Sequence, residues 1–321
     1  MKLGVLSTPF SSLDLESCLK EVSALGLQAV ELHAKGPIGQ NILKLPELLS
    51  GDARAKEIRA LLEKYNIEIS AIGGSGNPVH PDPDIRARDR KIFGDALIVA
   101  EKLGVKRVIT FSGCPGDPSG SKYPNWVTCP WPEEYLGILK YQWEDVLIPY
   151  WQQASQKAKD HGVEMICIEM HPGFCVYNPE TLLKLRHAAG DNIGANFDPS
   201  HLFWQGIDIV EAIRMLQGVI YHFHAKDTKV DRRNVARNGV IDTKHYGDEI
   251  NRSWLFRTVG YGNGEETWKE IVSNLRMTGY DYVMSIEHED SLMSSAEGLK
   301  KAVAFLKNVI ITEPKGAMWW A

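Results

Sequence analysis

The sequence has few cysteines, and they lack the spacing of a cysteine-built site. Among 321 residues there are five cysteines, scattered along the chain, with no Cys-x-x-Cys pair. An odd and scattered set is typical of reduced thiols in a cytoplasm, and it argues against a disulfide framework or a thiolate-bound zinc ion. We therefore expect a cytoplasmic protein.

The sequence also lacks a long apolar run at its start and an excess of positive charge. The first residues predict a short strand followed by a turn, so we expect neither a signal peptide nor a membrane span, and no membrane partner. The 36 Lys and Arg residues are outnumbered by 41 Asp and Glu residues, which leaves a net charge of −5. Because nucleic-acid binding requires clustered positive charge, we expect no nucleic-acid partner.

Short apolar strands alternate with amphipathic helical segments along the chain. Strands are predicted over residues 3–6, 28–33, 68–72, 107–111, 163–173, 192–197, 218–224 and 282–286, and each is followed by a predicted helix. Eight such units, with strands covered on both faces, predict an α/β fold of the (β/α)8 TIM-barrel type. An open doubly wound sheet is the alternative, but the first turn lacks a Gly-rich dinucleotide fingerprint.

The length beyond a minimal barrel lies in two extended βα loops. These loops follow the fourth and seventh strands, at residues 112–140 and 226–264, and the sequence ends in an apolar tail over 311–321. No interdomain linker is visible, so we expect a single TIM-barrel domain over 1–321. The tail can pack on the barrel base or on another subunit, which leaves a homo-oligomer or an accessory subunit open.

Four consecutive strands carry a ligand-type side chain where each strand ends. These are Glu169 on the fifth strand, Asp198 on the sixth, His224 on the seventh and Glu287 on the eighth. The carboxyl ends of barrel strands meet at one rim, so the four residues are predicted to converge there. Three carboxylates and one imidazole predict a site for one divalent metal ion. Mn²⁺, Mg²⁺ and Co²⁺ are favoured over a thiolate-bound zinc, and Zn²⁺ also fits.

Each of these residues has a structural alternative when it is taken alone. A single Glu at a strand end is more often an ion-pair partner or a loop anchor, and a single His is more often a hydrogen-bonded core residue. Four such residues at equivalent positions favour the metal interpretation. His222, one pleat deeper than His224, and His288 are predicted to be structural, and nothing in the sequence connects His33 to the metal.

The two long loops supply candidate substrate contacts. The first is rich in Trp and Pro, and its Trp126 is predicted either to pack the loop down or to stack on a sugar-like or aromatic substrate. The second contains eight basic residues, most of which we expect to be solvated. Among them, Arg257 is predicted to reach an anionic or polyhydroxyl substrate.

With these motifs the chain resembles the xylose isomerase-like TIM barrels known as sugar phosphate isomerases/epimerases, over about residues 1–310. That family includes ketose 3-epimerases, inosose dehydratases and isomerases, endonuclease IV and the metal subunits of C-glycoside deglycosidases. The resemblance is carried by Ile168-Glu169, Asp198-Pro-Ser-His201, His224-Ala-Lys-Asp227, Val259-Gly-Tyr-Gly-Asn-Gly264 and Ser285-Ile-Glu287. It implies that Glu169, Asp198, His224 and Glu287 bind one divalent metal ion, often Mn²⁺. It also implies that His201 faces the substrate, together with Lys226.

This chain differs from two groups of family members in motifs near the metal site, and these differences argue against the activities of those groups. Endonuclease IV has three zinc ions and an Asp-x-His pair in the loop after its seventh strand, whereas this loop has Asp242-Thr-Lys-His245. The ketose 3-epimerases have an Arg shortly after the metal-binding His, where this chain has Lys229-Val-Asp231. DNA repair is therefore not expected, and simple ketose epimerisation is less favoured.

His171 lies two residues beyond Glu169, so the two side chains share one face of the strand. An imidazole beside a metal ion can act as an acid or a base near neutral pH. We expect Glu169, Glu287 and His171 to be the catalytic residues, with both glutamates also acting as metal ligands.

The expected function is that of a metal-dependent isomerase or epimerase of a sugar, keto-sugar or cyclitol. It would remove a proton next to a carbonyl and form a metal-stabilised enediolate. The alternatives are a lyase, which eliminates the aglycone of a 3-oxo-glycoside or dehydrates an inosose, and a non-catalytic metal-containing sugar-binding subunit. In each case the partner is a small-molecule sugar or sugar derivative.

Overall fold

Eight parallel strands close into a barrel in the computed structural model, which describes residues 1–320. In chain order they are β1 (Lys2–Leu6), β2 (Ala29–His33), β3 (Glu68–Gly73), β4 (Arg107–Phe111), β5 (Met165–Glu169), β6 (Ile193–Phe197), β7 (Ile220–Ala225) and β10 (Val283–Ile286). The strands β8 (Asp227–Val230) and β9 (Trp254–Arg257) form a separate antiparallel pair. Each barrel strand pairs with the next, and β10 closes the barrel against β1. The predicted (β/α)8 TIM barrel is confirmed.

Helices follow the strands and form the outer layer. They are α1 (Leu15–Ala24), α2 (Leu45–Ser50), α3 (Ala53–Tyr65), α4 (Pro83–Leu103), α5 (Glu134–Lys140), α6 (Ile148–Asp160), α7 (Pro179–Ala189), α8 (Ser200–Phe203), α9 (Ile209–Met215), α10 (Arg232–Asn238), α11 (Glu265–Met277) and α12 (Ser295–Val309). Side-chain caps fix several helix starts: Asp14 accepts a hydrogen bond from the backbone N–H of Ser17, and Asn178 forms a capping box with Thr181. Such caps satisfy backbone N–H groups that have no partner within the helix.

Several helices are not predicted by the sequence pattern, among them α8, α10 and those of two further segments. The stretch between β2 and α3, predicted as a loop rich in Gly and Pro, contains a π-helical turn over Ile38–Leu43 and then α2. The helix predicted from residue 141 begins at Glu134, because α5 continues through a second π-helical turn, Tyr141–Leu147, into α6. A helix of six residues such as α2 is too short to show a clear 3.6-residue period.

The long loop after β7 is a folded excursion on the rim of the barrel. It contains β8, α10 and β9. The guanidinium of Arg252, a buried residue, lies 4.3 Å from the ring centre of Tyr246 and 4.6 Å from that of Trp254. The ring of Trp254 in turn stacks on that of Trp204 with 4.6 Å between centroids. These contacts hold the β8–β9 pair against the barrel beside the strand ends.

A buried carboxylate joins this excursion to the turn before α11. Asp227 Oδ2 accepts hydrogen bonds from the backbone N–H groups of Gly260, Gly262 and Asn263 at 3.0 to 3.1 Å. A Cβ at Gly262 would lie 2.5 Å from Asp227 Oδ1, so the close approach requires glycine. This contact therefore joins two of the motifs that carry the family resemblance, His224-Ala-Lys-Asp227 and Val259-Gly-Tyr-Gly-Asn-Gly264.

The C-terminal tail lies outside the helices and strands. The amino group of Met1 donates to the carbonyl of Ile311 over 3.0 Å, but Met318, Trp319 and Trp320 are 67, 87 and 68% exposed. These three side chains therefore do not pack on the barrel base, and contact of the tail with another subunit stays a prediction. Within residues 1–320, no helix has both the length and the apolar character needed to cross a membrane.

Candidate metal centre

The carboxyl ends of four strands bring the four predicted ligands together. Glu169 ends β5, Asp198 follows β6, His224 lies near the end of β7, and Glu287 follows β10. One ligand-type atom of each residue lies within 4.8 Å of those of the other three. No more than 15% of any of these side chains is exposed. We call these four residues the ligand group.

His224 faces two other members of the ligand group. Its Nδ1 lies 2.9 Å from Glu287 Oε2 and 3.2 Å from Glu169 Oε2. Although burial lowers the pKa of His224, the carboxylates of Glu31 and Glu287 raise it well above its usual range. Because Nδ1 faces two carboxylates, either a proton or a metal ion can lie between this nitrogen and the carboxylate oxygens.

Several buried polar atoms at this point have no hydrogen-bond partner. They include Asp198 Oδ2, Glu287 Oε2 and His201 Nε2. Burial raises the pKa of Asp198 to about 7, although its other oxygen, Oδ1, accepts a hydrogen bond from the backbone N–H of Ser200 over 2.8 Å. Leaving such an atom unsatisfied costs about 1–3 kcal/mol. Three carboxylates and an imidazole, with oxygens of Asp198 and Glu287 left without hydrogen bonds, fit a divalent cation such as Mn²⁺, Mg²⁺, Co²⁺ or Zn²⁺.

His201 and Lys226 border the ligand group. His201 Nε2 lies 3.2 Å from Glu169 Oε1 and 3.3 Å from Asp198 Oδ2, and burial lowers the pKa of His201 to about 3, so its imidazole is neutral. Lys226 Nζ lies 3.6 Å from Asp198 Oδ2 and 3.5 Å from Glu287 Oε2. Both side chains are therefore placed where a molecule bound at the ligand group would meet them.

A layer of hydrogen bonds below the ligand group holds its side chains in place. Asn196 Nδ2 donates to Glu169 Oε2 over 2.8 Å, and Asn196 Oδ1 lies 2.9 Å from His222 Nδ1. His222 Nε2 lies 3.2 Å from Ser70 Oγ, and burial lowers the pKa of His222 to about 3. His222 thus has the structural position predicted for it. Asn196, missed in the sequence, lies two residues before Asp198 and so on the same strand face.

Glu31 is a second residue that sequence reasoning missed. It lies on β2, has no exposed surface, and its Oε2 is 2.9 Å from His224 Nε2. Although burial raises its pKa, the neighbouring His224 and His33 hold the pKa of Glu31 well below its usual range. The sequence did contain a signal for Glu31, because it is a carboxylate inside the otherwise apolar strand 29–33, just as Glu169 is in β5.

His171 connects the ligand group to an open cleft. The centroid of its ring lies 4.0 Å from that of His201, and the two histidines form a cluster with Glu169. The cleft has a volume of about 540 Å³ and is lined by His171, Tyr246, Leu255, Phe256, Glu289, Asp290 and Ser291. A cleft of this size is in the range that binds small-molecule ligands. We call it the His171 cleft.

The other two predicted substrate contacts lie outside the ligand group. Trp126 lines a different cleft, of about 410 Å³, and its ring packs edge-on against Tyr177. This part of the loop faces α7. Of the two roles predicted for Trp126, its position therefore supports packing of the loop rather than stacking on a substrate at the ligand group. Arg257 Nε lies 3.1 Å from both carboxylate oxygens of Asp290, at the wall of the His171 cleft.

The sequence and the fold are both similar to those of known proteins. The family model described as xylose isomerase-like TIM barrel matches residues 19–309. The uncharacterised protein YfiH of Bacillus subtilis (strain 168) is 40% identical over 312 residues, which cover 97% of this chain and 99% of that protein. An inosose dehydratase of Mesomycoplasma hyopneumoniae is 23% identical over 302 residues, 93% of this chain and 89% of that protein.

Two solved structures illustrate the shared fold. D-psicose 3-epimerase from Clostridium cellulolyticum H10, solved with D-tagatose, has a TM-score of 0.61 at 16% identity and covers 96% of this chain and 98% of its own. The IolI protein, solved with a zinc atom, has a TM-score of 0.63 at 19% identity and covers 96% of both chains. At these identities the likeness shows the fold alone.

Proposed function

Because the chain belongs to the xylose isomerase-like TIM barrel family, we propose that it is a divalent-metal-dependent isomerase or epimerase of a sugar, keto-sugar or cyclitol. The observation that carries the proposal is the ligand group, four residues from four strand ends whose ligand-type atoms lie within 4.8 Å of one another. A metal ion held there, Mn²⁺ in our proposal, would polarise the substrate carbonyl and stabilise negative charge as the neighbouring proton leaves.

The two glutamates of the ligand group are the proposed acid and base. One carboxylate, Glu169 or Glu287, takes the proton from the carbon next to the carbonyl, and the other, or His171, returns a proton. Return to the opposite face of the same carbon gives an epimer, and return to the neighbouring carbon gives an aldose–ketose isomer. The neutral His201 and the ammonium of Lys226, both beside these carboxylates, would hold substrate oxygens.

A second candidate function is elimination from a 3-oxo-glycoside or dehydration of an inosose. It is favoured by the His171 cleft, whose wall includes the apolar side chains of Tyr246, Leu255 and Phe256. Elimination begins with the same proton removal and ends with loss of a substituent, which needs an acid for the leaving group. His171 borders both the cleft and His201, so it is placed to be that acid, and the apolar wall suits an aglycone.

The test is incubation in D₂O with Mn²⁺ and a panel of ketoses, inososes and 3-oxo-glycosides, read by NMR. An isomerase or epimerase incorporates deuterium next to the carbonyl and yields a new sugar, whereas a lyase releases a substituent. Glu287→Gln is expected to slow the exchange by about 10²–10⁴-fold, the range typical of a lost acid or base. Glu164→Gln is the control, since Glu164 precedes β5 at the opposite end of the barrel and is paired with Lys106 on the surface.

Two outcomes would contradict the proposal. Exchange that is as fast in Glu287→Gln as in the wild type would remove Glu287 from the mechanism. A protein that holds Mn²⁺ and binds a sugar of the panel without any exchange would instead be the non-catalytic sugar-binding subunit.

A further inference from the structure

One fully buried carboxylate touches the ligand group without belonging to it. Glu31 lies on β2, and β1 and β10 separate this strand from β7 in the barrel. Its side chain therefore crosses the barrel interior to reach His224, where Glu31 Oε2 lies 2.9 Å from Nε2. The other ring nitrogen, Nδ1, faces two carboxylates of the ligand group, those of Glu169 and Glu287.

The contact decides which nitrogen of His224 carries a hydrogen. A neutral imidazole has one N–H donor and one lone pair, and an ionised carboxylate only accepts hydrogen bonds. In the neutral ring, the nitrogen that faces Glu31 is therefore the donor. Asn196 Nδ2, itself an N–H donor, lies 3.1 Å from Nδ1, which agrees with a lone pair on Nδ1. In metal sites, a ligating histidine is oriented in this way by the partner of its other ring nitrogen.

We propose that Glu31 is a positioning residue of the metal centre, which holds the Nε2 proton of His224 and so presents the Nδ1 lone pair to the metal ion. The inference rests on the proposed function, because it assumes that the ligand group binds a metal. It adds a residue from β2, which carries none of the predicted ligands.

The surroundings of Glu31 fix the direction of its carboxylate. Ser285 Oγ donates to Oε2 over 3.1 Å, and in the strand ladder Ser285 is paired with His224. On the other oxygen, His33 Nε2 lies 3.1 Å from Oε1. The ring of His33 occupies space left by Gly73, since a Cβ there would lie 2.1 Å from His33 Cδ2. With both oxygens engaged and no exposed surface, Glu31 has no room to rotate away.

A competing interpretation is that Glu31, His222 and His224 form a second metal site, since ligand-type atoms of these three residues also lie close together. The hydrogen bonds argue against it. His222 uses both ring nitrogens, with Asn196 Oδ1 at 2.9 Å and Ser70 Oγ at 3.2 Å. No lone pair of His222 is free for a metal, so Glu31 supports one metal centre and does not form another.

The experiment measures Mn²⁺ affinity of the apoprotein from the EPR signal of free Mn²⁺. Glu31→Gln keeps the size of the side chain but loses the charge, and we expect Mn²⁺ to bind about 10- to 100-fold more weakly, as for other outer partners of metal-binding histidines. Glu31→Asp retains the charge and withdraws the carboxylate by about 1.5 Å, the length of one C–C bond. This variant is also expected to bind Mn²⁺ more weakly. It keeps the test possible if Glu31→Gln fails to fold.

Glu164→Gln is the matched control. It makes the same Glu-to-Gln change at a surface position paired with Lys106, away from His224, so Mn²⁺ is expected to bind as in the wild type. A second readout is the ¹⁵N NMR spectrum of histidine-labelled protein, in which the His224 signal is the one lost in His224→Gln. With Zn²⁺ bound, which is diamagnetic, the wild type is expected to show the Nε2–H tautomer at His224.

The outcomes separate this inference from the proposed function. If the wild type binds Mn²⁺ and both Glu31 variants bind it equally well, the positioning role is overturned and the metal centre stands. If the wild type binds no Mn²⁺, the metal centre is overturned, and the inference with it. Equal losses in Glu31→Gln and Glu164→Gln would also overturn the positioning role, because they would indicate that the loss does not depend on the contact with His224.

Discussion

The imidazole rings of His171 and His201 lie 4.0 Å apart between centroids, with 49° between their planes. His171 lines the open cleft, while His201 lies within 3.3 Å of Glu169 and Asp198. The pair therefore joins the cleft to the ligand group. Because only one of the two rings borders the cleft and the other is buried, they are expected to differ in function.

Replacing His171 by Phe tests the proposed acid–base role. Phe preserves an aromatic ring against Phe111 and Phe174, which pack edge-on on His171, and removes both nitrogens. Turnover of whichever panel compound reacts is expected to fall by about 10²–10⁴-fold, while Mn²⁺ affinity stays unchanged. Phe174→Leu, which disturbs the packing but removes no nitrogen, is the control. A loss of Mn²⁺ affinity in His171→Phe would indicate a structural role instead.

Metal binding is expected to stabilise the fold through the ligand group. At a Mn²⁺ concentration 100 times its dissociation constant, the free energy of unfolding rises by about 2.7 kcal/mol. Asp198→Asn is expected to remove most of this gain. Without metal the same variant is expected to be at least as stable as the wild type, because a buried carboxylate with an unsatisfied oxygen has been replaced by a neutral amide. Thermal unfolding with and without Mn²⁺ measures both effects, and an equal Mn²⁺-induced shift in the two proteins would exclude Asp198 as a ligand.

Lys226 is expected to oppose metal binding while it stabilises the metal-free protein. Its ammonium lies 3.5 Å from Glu287 Oε2 and 3.6 Å from Asp198 Oδ2, so it repels a cation placed between these oxygens. Lys226→Met should tighten Mn²⁺ binding by roughly tenfold, or about 1.4 kcal/mol, and lower the stability of the metal-free protein. Lys229→Met, an exposed position on β8, is the control. Weaker Mn²⁺ binding in Lys226→Met would indicate that the lysine holds the ligands in place.

The rim excursion is expected to lose stability in acid through Asp242. Its side chain has no exposed surface, Oδ2 accepts from the backbone N–H of Ser253 over 2.6 Å, and Oδ1 accepts from Lys244. Although burial raises its pKa, these donors lower the pKa of Asp242 to about 2. A carboxyl with a lowered pKa stabilises the fold above its unfolded value of about 3.9, and this contribution is lost as the pH falls towards 2.

Asp242→Asn should therefore cost about 1–3 kcal/mol of unfolding free energy at neutral pH, the range for a broken charged hydrogen-bond set. In urea unfolding, the difference from the wild type should shrink between pH 4 and pH 2, whereas Asp160→Asn on the exposed surface of α6 should show little difference at any pH. A pH-independent difference would show that shape, not charge, determines the effect of Asp242.

The fold was predictable because its signals are local and repeated. Each strand of the barrel is a short apolar run, and each long helix has a period of its own, so the eight units could be counted without knowledge of any contact. The convergence of Glu169, Asp198, His224 and Glu287 was predictable for a related reason. In a parallel barrel all strands end at one rim, so an equivalent place on the strand is sufficient to bring residues together.

Residues that act across the barrel interior were not predictable in this way. Glu31 meets His224 because the barrel closes, and the partner of a side chain inside a closed barrel depends on register and depth, which no local pattern contains. The same holds for Asn196, which bridges Glu169 and His222, and for the direction of the loop that carries Trp126.

Local pattern thus specified the elements, their order and the end of each strand where polar side chains collect. Three-dimensional closure specified which nitrogen of His224 faces Glu287 and which faces Glu31, and it placed His171 between a cleft and a buried histidine. The physical reason is that periodicity depends on neighbours in the chain, whereas a hydrogen bond of 2.9 Å between β2 and β7 depends on strands that are far apart in sequence and adjacent only after folding.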